Sequence, residues 1–407
     1  MKKSILTAFS FQKILFVFCI VVLLWVTQNQ KITNQGVTLP YFSFNPVIIL
    51  FTISVISLAH NFIFKIKLKL PSILFFAVLF VVVSIIPIVF IKDPDTYYGN
   101  LLGRSLIVLF FLMGFYMANE KIVFNSLILL GVIMSIQIVL TFMLVNIPFD
   151  ALYYKQYMVI PVGASNHLSV MLLPLLIIND FYTVRIFRKI LYSLILIIGI
   201  FLTKSRTGLI ILCFLLIVKF IYYLIILLRK SNKQNITIAI TLITTVLSVI
   251  VLLLTKIDLG FIRDFLLGFA KEDSTISIDA LLSGRLSLLI EGFKTSLNNP
   301  LFGQGLEYEL GAAKIHNWLG QLFYEVGLFG VIIFSIILID IYQKIKKYDT
   351  KSNVYKAVVT VLLINSLIEP GIFTYQVDFI FWIIIGTLYG VSRMNKGEKP
   401  LENLEEK

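Results

Sequence analysis

Charge is what this sequence has least of: Asp, Glu, Lys and Arg make up 14% of its 407 residues, while 58% are hydrophobic. Soluble domains carry about 25% charged and about 45–50% apolar residues, so a water-soluble globule is excluded. Cysteine is scarce too. Cys19 and Cys213 both fall within apolar runs, which leaves no framework for a structural disulfide or a thiolate metal site. The three histidines, His60, His167 and His316, form no pair at metal-ligand spacing. No small-residue cleavage site closes the apolar run that follows Met1-Lys2-Lys3 and ends at Val26, so an uncleaved first span is expected rather than a signal peptide. No internal repeat is visible, which disfavours common transporter architectures.

What is present is a succession of apolar runs of bilayer length, with a mean hydropathy of +0.94. They predict an all-α, polytopic integral membrane protein of about twelve transmembrane helices. The spans fall at about 11–27, 46–64, 71–91, 100–118, 122–145, 168–182, 190–203, 208–228, 236–254, 318–341, 354–369 and 378–392. The net charge of +13 would suggest a nucleic-acid partner in a soluble protein. Here the cations cluster in the loops of one side, at Lys65, Lys67 and Lys69, Arg185, Arg188 and Lys189, Arg229 and Lys230, and Lys344, Lys346 and Lys347. That is the pattern of cytoplasmic loops, and no nucleic acid is expected. Both termini are then cytoplasmic. The chain divides into transmembrane helices 1–9 over 1–254, a large extracytoplasmic loop with an amphipathic helix over 255–315, transmembrane helices 10–12 over 316–394, and a cytoplasmic tail over 395–407.

This topology brings four polar features to the outer face: Asn166-His167, the segment from Lys204 to Gly208, Arg285, and His316-Asn317. Nucleotide-activated sugars are absent there, so an enzyme must use a donor that carries its own leaving group, such as a lipid-linked sugar diphosphate. Guanidinium is planar, always charged and bidentate toward phosphate oxygens. Two readings of Arg206 stand: an interface anchor, or a diphosphate ligand whose neighbours Ser205, Thr207 and Gly208 offer hydroxyls and close backbone approach. Arg285 is either the solvated start of an amphipathic helix reaching Ser296 or a second such ligand. His316 carries an imidazole, a group able to take a proton from an acceptor hydroxyl at neutral pH; the plainer alternative is a hydrogen-bonded interfacial histidine. Gly320, Gly327 and Gly330 are expected on one side of a helix that packs closely against a neighbour. Glu325 in the same span must be paired or neutral and is a candidate to support the site. Asp93-Pro94-Asp95 spells a metal-binding D-x-D, but its proline and outer position predict a turn, and no metal or cofactor is expected. Lys219, inside the eighth span, is read as packed in a polar groove or snorkelling inward.

These residues resemble the O-antigen ligases and the related Wzy-type repeat-unit polymerases. The family's ligase signature is a histidine, then Asn, Ser or Gln, nine residues, then G-x-x-G. This chain has His316-Asn317, nine residues, then Gly327-Leu328-Phe329-Gly330. Ser283-Gly284-Arg285, the run Asn299-Pro300-Leu301-Phe302-Gly303-Gln304-Gly305, Ser205-Arg206-Thr207-Gly208 and Asn166-His167-Leu168 are similar to further family features. The motif-bearing part covers roughly 160–340. The resemblance implies a GT-C-like, inverting, metal-independent glycosyltransferase of a bacterial cytoplasmic membrane. It implies His316 as base and Arg206 and Arg285 as diphosphate ligands, with Asn166, Ser205, Asn317 and Glu325 in support. The implied partners are an undecaprenyl-diphosphate-linked oligosaccharide, an acceptor glycan, membrane lipid, and a flippase and chain-length regulator. Polymerase and ligase share donor and leaving group, and the motif does not separate them. A transporter or flippase, the rival from another class, predicts cations deep in several spans and two similar halves, and neither is evident.

Overall fold

A computed structural model of the chain describes residues 2–25, 46–63, 70–87, 94–144, 165–203, 205–229, 241, 244, 285–306, 315–348, 352–368 and 371–394. Among the described residues there are twelve helices. They are α1 (Lys2–Trp25), α2 (Pro46–Ile63), α3 (Ser72–Val83), α4 (Pro94–Met117), α5 (Glu120–Leu144), α6 (Ser165–Tyr182), α7 (Ile186–Leu202), α8 (Arg206–Arg229), α9 (Arg285–Ser296), α10 (Trp318–Lys346), α11 (Ser352–Ser366) and α12 (Tyr375–Met394). Five of these, α4, α5, α8, α10 and α12, contain segments long and apolar enough to cross a membrane. Shorter apolar helical segments occupy Phe11–Leu24, Pro46–Asn61 and Ser72–Val83. The helices are not the twelve predicted spans one for one. The expected ninth span, 236–254, lies almost wholly outside the described residues, as do most of the long loop and the tail. The amphipathic helix expected from Arg285 to Ser296 is α9.

One expectation is corrected at the start of α4. Pro94 of the D-x-D sequence opens the helix rather than a turn. Proline's fixed φ suits a first helical turn, where its missing N–H has no partner to lose.

The chain forms two compact units, Met1–Ser205 with Leu288–Lys407, and Arg206–Ser287. In the first, α12 is the most enclosed element, with every side chain from Gln376 to Gly390 buried. Its Gly386-x-x-x-Gly390 edge meets α4 backbone to backbone. A Cβ on Gly386 would strike the Phe111 carbonyl, one on Gly390 the Phe115 carbonyl, and one on Gly114 the Ile383 carbonyl. Small residues of this kind let apolar helices approach where water supplies no driving force.

Polar side chains join other helices. Gln12 of α1 donates to the Ser57 carbonyl (2.8 Å) and to Asn61 Oδ1 (2.9 Å) of α2. Asn179 of α6 donates to the Lys189 carbonyl and to Ser193 Oγ of α7. Glu120, which opens α5, accepts from the phenols of Tyr348 (2.7 Å) and Tyr355 (2.9 Å). In the second unit the described helix is α8, apolar on nearly all sides and mostly exposed, as a lipid-facing helix must be.

Candidate active site

His316 stands at the mouth of α10, half-buried and two residues before the first helical residue. Asn317 is the N-cap. Its backbone is extended, and its Oδ1 accepts from the N–H groups of Leu319 (3.0 Å) and Gly320 (2.9 Å). That satisfies two donors every helix start leaves open. The Asn317 amide also donates to the Leu367 carbonyl (2.8 Å), just past the end of α11. The residue after the histidine thus fixes the direction in which the chain enters the helix.

The helix that follows is broken. Gly327 has φ 67° and ψ −163°, dividing α10 into an upper half, Trp318–Val326, and a lower half from Leu328. The turn from Asn299 to Gly305 fills the break. The N–H of Gln304 donates to the Tyr324 carbonyl (2.7 Å) and that of Gly305 to the Glu325 carbonyl (3.0 Å). In return, the N–H of Leu328 donates to the Pro300 carbonyl (2.9 Å) and that of Phe329 to the Leu301 carbonyl (3.2 Å). In a continuous helix Leu328 and Phe329 would have bonded to Tyr324 and Glu325. The turn takes over both ends of the two missing bonds, so none of these four groups is stranded. Phe302 stacks on Phe329 (5.2 Å between centroids), and Gln304 Nε2 ties the turn back to the Thr295 carbonyl of α9 (2.9 Å).

This corrects the expected role of the glycines. Gly320, Gly327 and Gly330 do not form one helix-packing face. A Cβ on Gly327 would lie 2.5 Å from the Leu301 carbonyl carbon, and one on Gly330 would strike Val326 of its own helix (2.6 Å). A Cβ on Gly320 would meet Leu289 of α9. Once the helix kinks, residues three and seven apart no longer share a side.

Glu325 sits in the last turn of the upper half, buried, about 10 Å along the axis from Trp318 at 1.5 Å per residue. It forms an ion pair with Arg104 of α4 and accepts from Gln321 Nε2 (2.7 Å). The Arg104 guanidinium lies over the Phe373 ring (4.3 Å from the centroid) and near Phe80 (5.4 Å). Phe334 packs against both rings and against Trp318. Arg104, Gln321 and Phe373 are not among the residues singled out from sequence. Arg104 was visible only as a cation near a span's outer end, although an ionisable residue in such a position is itself a signal.

The remaining candidates are placed as follows. Asn166 is the second residue of α6, half-buried, its carbonyl accepting from Ser169 Oγ (2.8 Å). Ser205 is fully buried and its N–H donates to Thr203 Oγ1 (3.3 Å). Arg206 is the first residue of α8 and Arg285 the first of α9; both belong to the second unit. His316 and Asn317 lead directly into the half-helix that carries Glu325. Among the described residues no group of three His, Cys, Asp or Glu side chains is arranged to hold a metal ion.

Residues 191–335 match the family model described as O-antigen ligase. The matched stretch contains Ser205, Arg206, Arg285, His316, Asn317 and Glu325, the Asn299–Gly305 turn and the helix break. No curated protein matches the chain.

Proposed function

We propose, from the match of residues 191–335 to the O-antigen ligase family model, that this integral membrane protein is a glycosyltransferase acting on undecaprenyl-diphosphate-linked oligosaccharide. Its role is that of repeat-unit polymerase in capsular or O-antigen polysaccharide synthesis. It carries about twelve spans in a GT-C-like arrangement. Its site lies on the extracytoplasmic face of a bacterial cytoplasmic membrane, and the large loop lies over 255–315. A flippase supplies its donor and a chain-length regulator attends it.

The observation that carries the reading is the half-buried imidazole of His316 at a capped helix mouth, on a half-helix pinned by the Asn299–Gly305 turn. A base so held can act on a hydroxyl presented at the interface. His316 takes the proton of the acceptor sugar hydroxyl, and the hydroxyl oxygen attacks the anomeric carbon of the donor. The bond from that carbon to the diphosphate oxygen breaks on the opposite side, with inversion, and undecaprenyl diphosphate leaves with the bonding pair. Arg206 and Arg285 stabilise the charge that grows on the diphosphate, which dispenses with a metal ion. Asn317 aims the histidine, while Asn166, Ser205 and Glu325 support the surrounding helices.

One observation favours a second reading. The family description is that of a ligase, which moves a finished glycan to lipid A–core or another final acceptor. Purified protein in liposomes, given lipid-linked repeat unit as the only sugar substrate, separates the two. Polymer means polymerase, whereas transfer only after a final acceptor is added means ligase. No transfer in either case overturns the proposal and leaves transport of the lipid-linked glycan to be tested.

A further inference from the structure

The half-helix Trp318–Val326 is not held by a continuous backbone ladder, because Gly327 interrupts it. Its position relative to the rest of the first unit depends on contacts from outside. The Asn299–Gly305 turn holds its lower end through the Tyr324 and Glu325 carbonyls. Asn317 ties its upper end to Leu367. The third contact is the ion pair of Glu325 with Arg104 of α4; Gln321, one turn earlier on the same half-helix, donates to the same carboxylate from within.

We infer that Arg104 is a positioning residue for His316, acting through Glu325. The inference rests on the base role proposed above. Arg104 lies in α4, outside the stretch that matches the family, and its partner is 221 residues away. Ion pairs this enclosed, with both side chains at or below 5% exposure, are weak contributors to stability; a well-packed apolar pair would commonly do as well. What the ion pair adds is direction, because a guanidinium and a carboxylate meet in a defined geometry. The Arg104 guanidinium is fixed on two sides, by the Glu325 carboxylate and by the face of Phe373. Its Nη1 has no hydrogen-bond acceptor among the described residues.

Phe373 is itself held in an unusual state. Its φ is 80°, a left-handed conformation that strains a bulky residue and persists only where its surroundings impose it. They do. Its N–H donates to Asp378 Oδ1 (3.2 Å), the N–H of Ile372 to Ser366 Oγ (3.1 Å), and Thr374 Oγ1 to the Gly371 carbonyl (2.6 Å). Asp378 lies within electrostatic reach of both Arg104 and Glu325. The connection from α11 to α12 therefore receives Asn317 at Leu367 and presents the ring under Arg104 at Phe373. Both ends of the His316 half-helix are referred to the same short connection, one directly and one through Arg104.

The test uses the full chain in lipid nanodiscs, with wild type, Arg104→Gln and the charge-exchanged double variant Arg104→Glu/Glu325→Arg. Hydrogen exchange over 299–305 and 318–329 reads the hold on the half-helix without any sugar. Exchange is expected to quicken about tenfold in Arg104→Gln and to return toward wild type in the double variant. Transfer kinetics should show kcat reduced by about ten- to a hundredfold with the donor KM within about twofold, because a displaced base loses rate rather than binding. If Arg104→Gln does not accumulate in the membrane, Arg104→Lys, which keeps the charge and loses the planar fork facing Glu325, is measured by the same two readouts with smaller losses of the same kind expected. Unchanged exchange, or a raised KM at unchanged kcat, overturns the inference. A wild-type protein that transfers no sugar overturns the function proposed above, and the exchange comparison then decides this inference alone.

Discussion

Gly303 and Gly327 each stand where the backbone of the other's segment fills the space of a side chain. A Cβ on Gly327 would lie 2.6 Å from the Gly303 nitrogen, and a Cβ on Gly303 would lie 2.5 Å from the Glu325 carbonyl carbon and the Val326 nitrogen. Both have positive φ, 78° and 67°. Two short glycine motifs 24 residues apart in the chain (327 − 303 = 24) are thus one structural object, a turn seated in a helix break.

Replacing either glycine with alanine should therefore be costly. Left-handed strain and a backbone clash coincide at both positions, and a loss of about 2–4 kcal/mol is expected. Thermal unfolding in detergent checks it: a marked fall for Gly327→Ala and Gly303→Ala, against a small change for an exposed alanine substitution elsewhere.

His316→Ala should abolish glycan product while the protein remains at wild-type level in the membrane. The drop in kcat expected from loss of a general base is about 10²–10⁴-fold. Normal polymer from that variant, assayed in liposomes, removes His316 from the reaction.

Arg206→Lys and Arg285→Lys keep the charge and lose the planar fork. Each should lower kcat/KM for the diphosphate-linked donor by about tenfold or more. Full activity in both identifies these arginines as interface anchors.

Asn317→Ala removes an N-cap and the tie to Leu367. A loss of about 1–2 kcal/mol is expected for the cap, together with lowered transfer. Asn317→Ser, which still caps but does not reach Leu367, should recover stability more fully than activity. Equal recovery of both would show that the tie is not needed.

Away from the site, burial and the neighbouring Glu120 carboxylate push the Tyr348 phenol above its ordinary value. A raised folded value contributes stability that is complete below the unfolded tyrosine value of about 10 and is lost only as the pH climbs past it. Tyr348→Phe should therefore cost about 1 kcal/mol, and the cost should be flat from roughly pH 6 to pH 9. A melting-temperature difference that varies strongly across that range would mean another group titrates against Glu120.

What the sequence made legible is what repeats locally. Apolar runs of bilayer length gave the places of α2, α5, α8, α10 and α12, since composition alone marks a helix long enough to span a bilayer. The spacing from His316-Asn317 to Gly327-x-x-Gly330 was visible for the same reason. Asn317 could also have been read as a cap, because Asn directly before an apolar run is a helix-start signal. The role of Gly327 was not legible, because a glycine in an apolar helix has the same surroundings in sequence whether it packs a neighbour or breaks the ladder. Only the turn at 299–305 distinguishes the two. Arg104 stayed hidden for a related reason: its meaning lies in Glu325 and Phe373, both more than 200 positions away, and a single sequence carries no trace of that pairing.

The enclosure of α12 has a consequence in time. Its glycine edge is the surface against which α4 is built, yet 273 residues separate Gly114 from Thr387. At about 5–20 residues per second, the ribosome takes roughly 14–55 s to make that interval. Throughout it, α4 sits in the membrane with its closest-fitting face open to lipid or to the insertion machinery. The helix that completes the packing of α4 is thus made that much later than α4 itself, and a chain stalled between Met117 and Tyr375 lacks it.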